Sequence, residues 1–163
     1  MRMWDGSNDA TEPVMSEESN RQCVLAMLED FYAGDIEATL ARYTDDIEFF
    51  SNAPVDILPH LGVLRGKAEM RAMRETIGQR YGEIRHEVKM MVAEGDKVAA
   101  LIRRFLRKRS NGRMVQYDVA SFFKLRDGRI AEIREVMDTF DVVEQVLERD
   151  ISAVLTGRPA GES

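Results

Sequence analysis

Apolar residues recur along this chain at two different periods, and the change of period divides it in two. In the first part Val24, Leu28, Phe31 and Tyr32 fall three to four apart, the spacing of one helix face. Gly34 follows as a residue suited to the left-handed end of a helix. Asp35 is placed to cap a second, short helix with Ile36, Leu40 and Tyr43 on one side. "DDIEFF" then reads as a short strand and "NAPVDILPHLGVLRG" as a long loop with two prolines. "KAEMRAMRETIGQRY" returns to helical spacing, with Met70, Met73, Ile77 and Tyr81 along its buried face.

After that helix the period falls to two. "EIRHEVKMMVAE", "DKVAALIRRFLRKR", "RMVQYDVASFFKLR" and "RIAEIREVMD" are parted by "GD", "SNG" and "RDG", which is turn chemistry, and the four predict an antiparallel meander. One last helix is expected, with Val142, Val143, Val146, Leu147, Ile151 and Leu155 as its stripe. Helices segregated from strands in this way predict an α+β fold, the helices laid on one side of the sheet. Residues 1–18 are polar and aperiodic and read as a flexible arm, 19–156 as one domain, and 157–163 as a flexible tail.

Alternation assigns faces. On the final strand Ala131, Ile133, Glu135 and Met137 share one side, and Ile130, Glu132, Arg134, Val136 and Asp138 share the other. The first side is apolar except for Glu135, so a lone carboxyl is aimed into what looks like a core. Arg104 is likewise the one cation on the face of Val98, Ala100, Ile102 and Leu106. It is a partner for Glu135 or an anchor for an anionic ligand. Tyr117 and Ser121 share the inward parity of Val119 and Phe123, while Asp118 falls on the outer side. His86 goes with Ile84, Val88, Met90 and Val92, and Phe49 with Ser51, next to Asn52.

Composition narrows the function classes. The chain has 163 residues, 44% hydrophobic and 32% charged, with a net charge of −6. That charge argues against nucleic acid, which calls for a basic patch, and "RRFLRKRSNGR" reads as a hairpin tip. No stretch approaches the ~20 apolar residues of a membrane span. Cys23 is the only cysteine, lies among apolar neighbours and reads as a small core residue; with no internal disulfide, a cytoplasmic setting is expected. No His or Cys pair has ligand spacing, so no metal is expected; no other cofactor is expected either.

Three phrases, "FYAGDIEATLARYTDDIEFF", "GVLRGKAEM" and "RDGRIAEIREVMDTFD", together resemble the SnoaL-like group of the nuclear transport factor 2-like superfamily, over roughly residues 20–147. The superfamily also holds ketosteroid isomerase and limonene epoxide hydrolase. The resemblance implies a cone-shaped α+β barrel, a strongly curved antiparallel sheet with helices enclosing a pocket, and a homodimer. It implies that Glu135 enters the pocket, since Ile133-Arg134-Glu135 is similar to the epoxide hydrolase's aromatic-Arg-acid. It puts His60 in the loop closing the cavity mouth. Asp138 lies at a strand end, as the cap of the last helix or as a carboxylate at the rim. Ser51, Asn52, Phe49, Arg104, Tyr117, Ser121, Ile133 and Met137 complete the expected pocket.

Departures from those enzymes matter too. Met27 stands where the isomerase has its catalytic tyrosine, and Ser51 where it has its proton-abstracting aspartate. Phe49 and Ser51 replace the hydrolase's tyrosine and asparagine, and Ile102 and Arg104 replace its Arg-x-Asp. Two functions follow. One is a cofactor-free isomerase, cyclase or hydrolase acting on a small apolar or carbonyl-containing molecule, with Glu135 as acid or base and Tyr117 or His60 as donor to an enolate. The other is a binding or association module without turnover. Leu101, Phe105, Ala120 and Phe122 on the outer face predict that the sheet is the dimer contact.

Overall fold

The first helix starts on a cap the sequence reading passed over. In the computed structural model, which describes residues 16–157, the Ser16 hydroxyl accepts from the Ser19 N–H at 3.1 Å and α1 runs Glu17–Ala33. Its first turn is tied to a hairpin: the Glu17 carboxylate accepts from the Gly95 N–H and the Asn20 amide donates to the Gly95 carbonyl, both at 2.9 Å. The expected domain boundary at residue 18 therefore falls inside a helix, and residues 1–15 and 158–163 lie outside the described residues. Gly34, at φ 85°, ends α1, and Asp35 caps α2 (Ile36–Ala41) as expected.

Six strands follow in one sheet. They are β1 (Tyr43–Ser51), β2 (Val63–Arg65), β3 (Tyr81–Glu94), β4 (Lys97–Lys108), β5 (Met114–Arg126) and β6 (Arg129–Met137), with α3 (Gly66–Arg80) between β2 and β3. The order is β2-β1-β6-β5-β4-β3, antiparallel throughout except where β1 runs parallel to β6. Two elements differ from expectation here: the first strand is longer than "DDIEFF", and a three-residue strand interrupts the proline loop. Helix α1 lies on β3 and β4, and α3 on β1, so the curled sheet is closed by helices. The fold is α+β, as the change of period implied. Among the described residues no helix is long and apolar enough to cross a membrane.

Alternation holds along β4 and β5, where Val98, Ala100, Ile102, Val115, Val119 and Phe123 are buried. It fails at two bulges. The register of β3 on β4 slips between Val88 and Met90, so Met90 and Val92 turn outward at 57% and 53% exposure while Met91 and Ala93 pack on the core. The register of β5 on β6 slips at Leu125, which pairs with Ile130, so Ile130 turns inward despite its parity with Glu132. One extra residue flips every later side chain to the other face. The expected last helix is two: α4 (Thr139–Leu147) ends on Glu148 at φ 57°, and Asp150 caps α5 (Ile151–Thr156), whose Leu155 is exposed.

Candidate functional site

Glu135 occupies a row of small residues. Across β6 it pairs with Ser51 of β1 on one side and Ser121 of β5 on the other, and Ser121 in turn faces Ala100 of β4. Small neighbours leave the floor of the sheet open around the carboxylate. Arg104, on β4 in the row of His86 and Tyr117, reaches diagonally across β5 into that opening. Its Nη1 donates to Glu135 Oε2 at 3.0 Å, its Nη2 donates to Oε1, and the Ser121 hydroxyl donates to Oε1 at 3.3 Å. The guanidinium side chain is 15% and the carboxylate side chain 7% exposed. Burial works against the Arg104 charge, but the Glu135 carboxylate opposite overrides it and holds the guanidinium well above its ordinary range.

Above this pair the helices roof a cavity of about 40 Å³. Met27, Tyr32, Met70 and Met73 form the roof; Phe49, Ile133, Arg104 and Glu135 belong to the floor. The walls are apolar except at one corner, where Tyr32, Tyr43, Arg104 and Glu135 come together. Burial pushes the phenols of Tyr32 and Tyr43 above their ordinary range, so both stay protonated. The Tyr32 ring stacks on His86 with centroids 4.2 Å apart and planes at 24°.

The other expected site residues lie elsewhere. Asp138 is exposed and caps α4, accepting from the Phe140 and Asp141 N–H groups, so it is not beside Glu135. His60 does not line the cavity; burial, then the charge of Arg80, lowers its pKa to about 4, which leaves it neutral near pH 7. The Asn52 amide brackets Met137, donating to its carbonyl and accepting from its N–H, both at 3.1 Å, and so extends the strand pairing. The Ser51 hydroxyl accepts from the Ala53 N–H, and Tyr117 and Met137 are buried without lining the cavity. Phe49, Ile133, Arg104 and Glu135 are the expected residues that the cavity brings together. The helical roof was read only as apolar stripes; the signal that marks Tyr32 within its stripe is its hydroxyl.

Among the described residues no cluster of three or more His, Cys, Asp or Glu side chains is placed to hold a metal ion. A larger hollow, about 330 Å³, lies on the far face of the sheet around Val92, Ala99, Phe122 and Arg134.

Comparison with known proteins bears on this site. The SnoaL-like domain matches residues 24–133, more than half of the chain. No curated protein matches the sequence. A solved structure from Rhodopseudomonas palustris, described only provisionally as an isomerase, shares 27% identity at TM-score 0.72, over 83% of this chain and 100% of its own. An NTF2-like protein from Burkholderia xenovorans LB400 shares 24% identity at TM-score 0.68, over 81% and 98%. An LEH-like epoxide hydrolase from M. tuberculosis shares 19% identity at TM-score 0.67, over 86% and 98%. The last two likenesses show the fold alone.

Proposed function

The chain belongs to the SnoaL-like family, and from that premise and the geometry of the cavity we propose a cofactor-free enzyme acting on a small carbonyl-containing molecule, with Glu135 as its base. The observation that carries the reading is the lone-pair count on Glu135. A carboxylate has about four acceptor positions. Nη2 of Arg104 and Ser121 take both on Oε1, and Nη1 takes one on Oε2. One position on Oε2 is left to accept a proton.

The step balances simply. A C–H bond next to the carbonyl breaks, its proton goes to Oε2, and its electron pair moves to the carbonyl oxygen as an enolate. Arg104 supplies the positive charge against which that oxygen develops. With a conjugated dienolate, return of the proton from Glu135 to the far carbon completes an isomerisation. Attack of the enolate on a second carbonyl forms a C–C bond and an alkoxide, which takes the proton back from Glu135 to complete a cyclisation. An isomerase description of the R. palustris neighbour supports the reading. The cavity of about 40 Å³ is well short of the roughly 300 Å³ that a drug-sized ligand occupies. Met27, Met70 and Met73 are unbranched and adaptable, and their rotation is the route by which the roof makes room.

The test is hydrogen–deuterium exchange, in D₂O, at the α-carbon of a panel of small cyclic ketones and 1,3-diketones. Wild type is expected to accelerate exchange and Glu135→Gln to lose roughly 10²–10⁴-fold. Binding of those ketones without any exchange would replace this reading with the non-catalytic pocket. We also place the protein in the cytoplasm, where a single free cysteine suits a reducing medium.

The same reading includes a homodimer through the outer sheet face. Register aligns Val92, Ala99 and Phe122 in one row and Met90, Leu101, Ala120 and Val136 in the next. Met90, Val92, Phe122 and Val136 are each about half exposed, which is an apolar patch that a second copy of the same sheet would cover.

A further inference from the structure

Two polar groups in the cavity are left over once the ion pair is made. The Tyr32 hydroxyl and the Arg104 Nε–H are shielded from solvent, and neither has a hydrogen-bond partner among the described residues. Both residues line the cavity. Three other buried atoms are also unpartnered, on Asn20, Thr44 and His60, but none of those residues lines it. Buried polar groups are nearly always paired, so two orphans in one hollow mark a place where something else completes them.

The geometry says what that something is. Arg104 Nε–H can only donate. The Tyr32 oxygen lies close enough to the guanidinium to feel its charge, and a guanidinium offers no acceptor for the phenol proton. The Tyr32 oxygen could only accept from the guanidinium, so its own proton is left over, and the Arg104 Nε–H likewise has no partner at hydrogen-bond distance; both call for an added acceptor. The hydroxyl is held in place: its ring is stacked on His86 and packs edge-to-face with Phe31, the ring centroids 5.2 Å apart. Glu135, in the same corner, repels a lone pair and accepts a proton, so it cannot be where a ligand oxygen rests.

We infer that Tyr32 and Arg104 Nε form an oxygen-binding pair that recognises a ketone carbonyl or its enolate, and that Tyr32 sets the preference of the cavity for oxygenated molecules over hydrocarbons of the same shape. This rests on the ligand-pocket reading and deepens it, because it fixes an orientation: oxygen toward Tyr32 and Arg104, α-hydrogen toward Glu135. Since burial holds the phenol protonated, the donor is present across the physiological range.

Acetophenone and α-methylstyrene test it, since they differ in C=O against C=CH₂ and little else in shape. Calorimetric titration of the full chain should show acetophenone bound roughly tenfold more tightly. Tyr32→Phe should cut that preference to about twofold, leave α-methylstyrene affinity unchanged, and melt no lower than wild type, since it removes only an unpaired hydroxyl. A tenfold preference that survives Tyr32→Phe overturns the inference, and so does an equal loss for both probes, which would make Tyr32 a shape-filling residue. Equal binding of both probes by wild type overturns the inference while leaving the pocket standing. Binding of neither overturns the ligand pocket and the inference together.

Discussion

Arg103 and Arg104 are neighbours on β4, each engages a carboxylate through two nitrogens, and the sheet between them makes their chemistry different. Arg103 meets Asp118 on the outer face, with Nε and Nη2 donating at 2.6 and 2.8 Å and both side chains a third or more exposed. Arg104 meets Glu135 on the inner face, under the helices. Water screens the outer pair, so little is lost when it opens. The inner pair is desolvated, so each charge depends on the other. A buried charge pair is an uncertain way to stabilise a core, since apolar side chains do as well. Its persistence at the centre of the only polar corner of the cavity is what directs attention to function rather than stability.

The largest effect is therefore expected from splitting the inner pair. Glu135→Gln strands the guanidinium and should cost about 3–5 kcal/mol in urea unfolding. Replacing both partners, Arg104→Met with Glu135→Leu, should recover most of that loss while abolishing turnover. A single Glu135→Gln as stable as wild type would mean that the carboxylate is not a partner that Arg104 needs, and would erase the contrast between the two faces.

Next comes the outer face as a whole. Wild type should return a dimer mass by light scattering at micromolar concentration, and Phe122→Glu a monomer, because Arg134 directly across on β6 is already held by Glu132 and a partner would bury the new carboxylate without a cation of its own. A monomeric wild type would leave Phe122 and Val136 as ordinary exposed residues and remove the dimer from the reading.

How far the sequence foretold this contrast depends on what sets each feature. Alternation is a property of the chain itself, so the inward aim of Arg104 and Glu135 and the outward aim of Asp118 were legible. The pairing was not decided, because two inward side chains two strands apart are joined or separate according to a reach across β5 that only Ser121's smallness permits. Bulges at Val88–Met90 and at Ile130 add a residue without any compositional mark, so the turn of Met90 and Val92 to the outer face and of Ile130 to the inner one could not be read from parity. The break between α4 and α5 sits on a left-handed Glu148, where a glycine would have announced it. Tyr32 looked like one more apolar position on a helix. Its partnerless hydroxyl exists only once the strands are folded beneath it.

Acid separates the helix side of the molecule from the outer face by pH window. His60 is lowered from 6.5 to about 4, by burial and then by Arg80, so the unfolded chain takes up a proton that the folded chain refuses. Stability is fully present above pH 6.5 and falls as pH drops toward 4; with the ring only partly buried, the loss should be about 1–2 kcal/mol. His86 is lowered in the same direction, by burial and then by Arg104, and adds to the slope. On the outer face Arg103 holds Asp118 below its usual 3.8, so that contribution is present above 3.8 and disappears only as pH falls further. Chemical denaturation at pH 7.5 and pH 4.5 should thus show a loss that His60→Gln reduces. A flat profile between those values would contradict the burial assigned to both rings.

The smallest expected effect belongs to the outer pair, and it makes the comparison sharpest. A double-mutant cycle on Arg103→Ala and Asp118→Ala should give a coupling of about 0.2–1 kcal/mol, reduced further in 1 M NaCl. Lys89 Nζ stands 4.0 Å from the same carboxylate and partly replaces Arg103 when it is removed, which pulls the value toward the lower end. The row of Arg103 and Asp118 borders the apolar rows proposed as the dimer contact, so the cycle also reads how far a partner extends. It should be run on the Phe122→Glu background, where the face is open to water, and again in the dimer. Equal small couplings would place the pair outside the contact. A rise above ~2 kcal/mol in the dimer alone would show that the partner desolvates it, and a coupling that large in the monomer would sink the claim that the outer pair is water-screened.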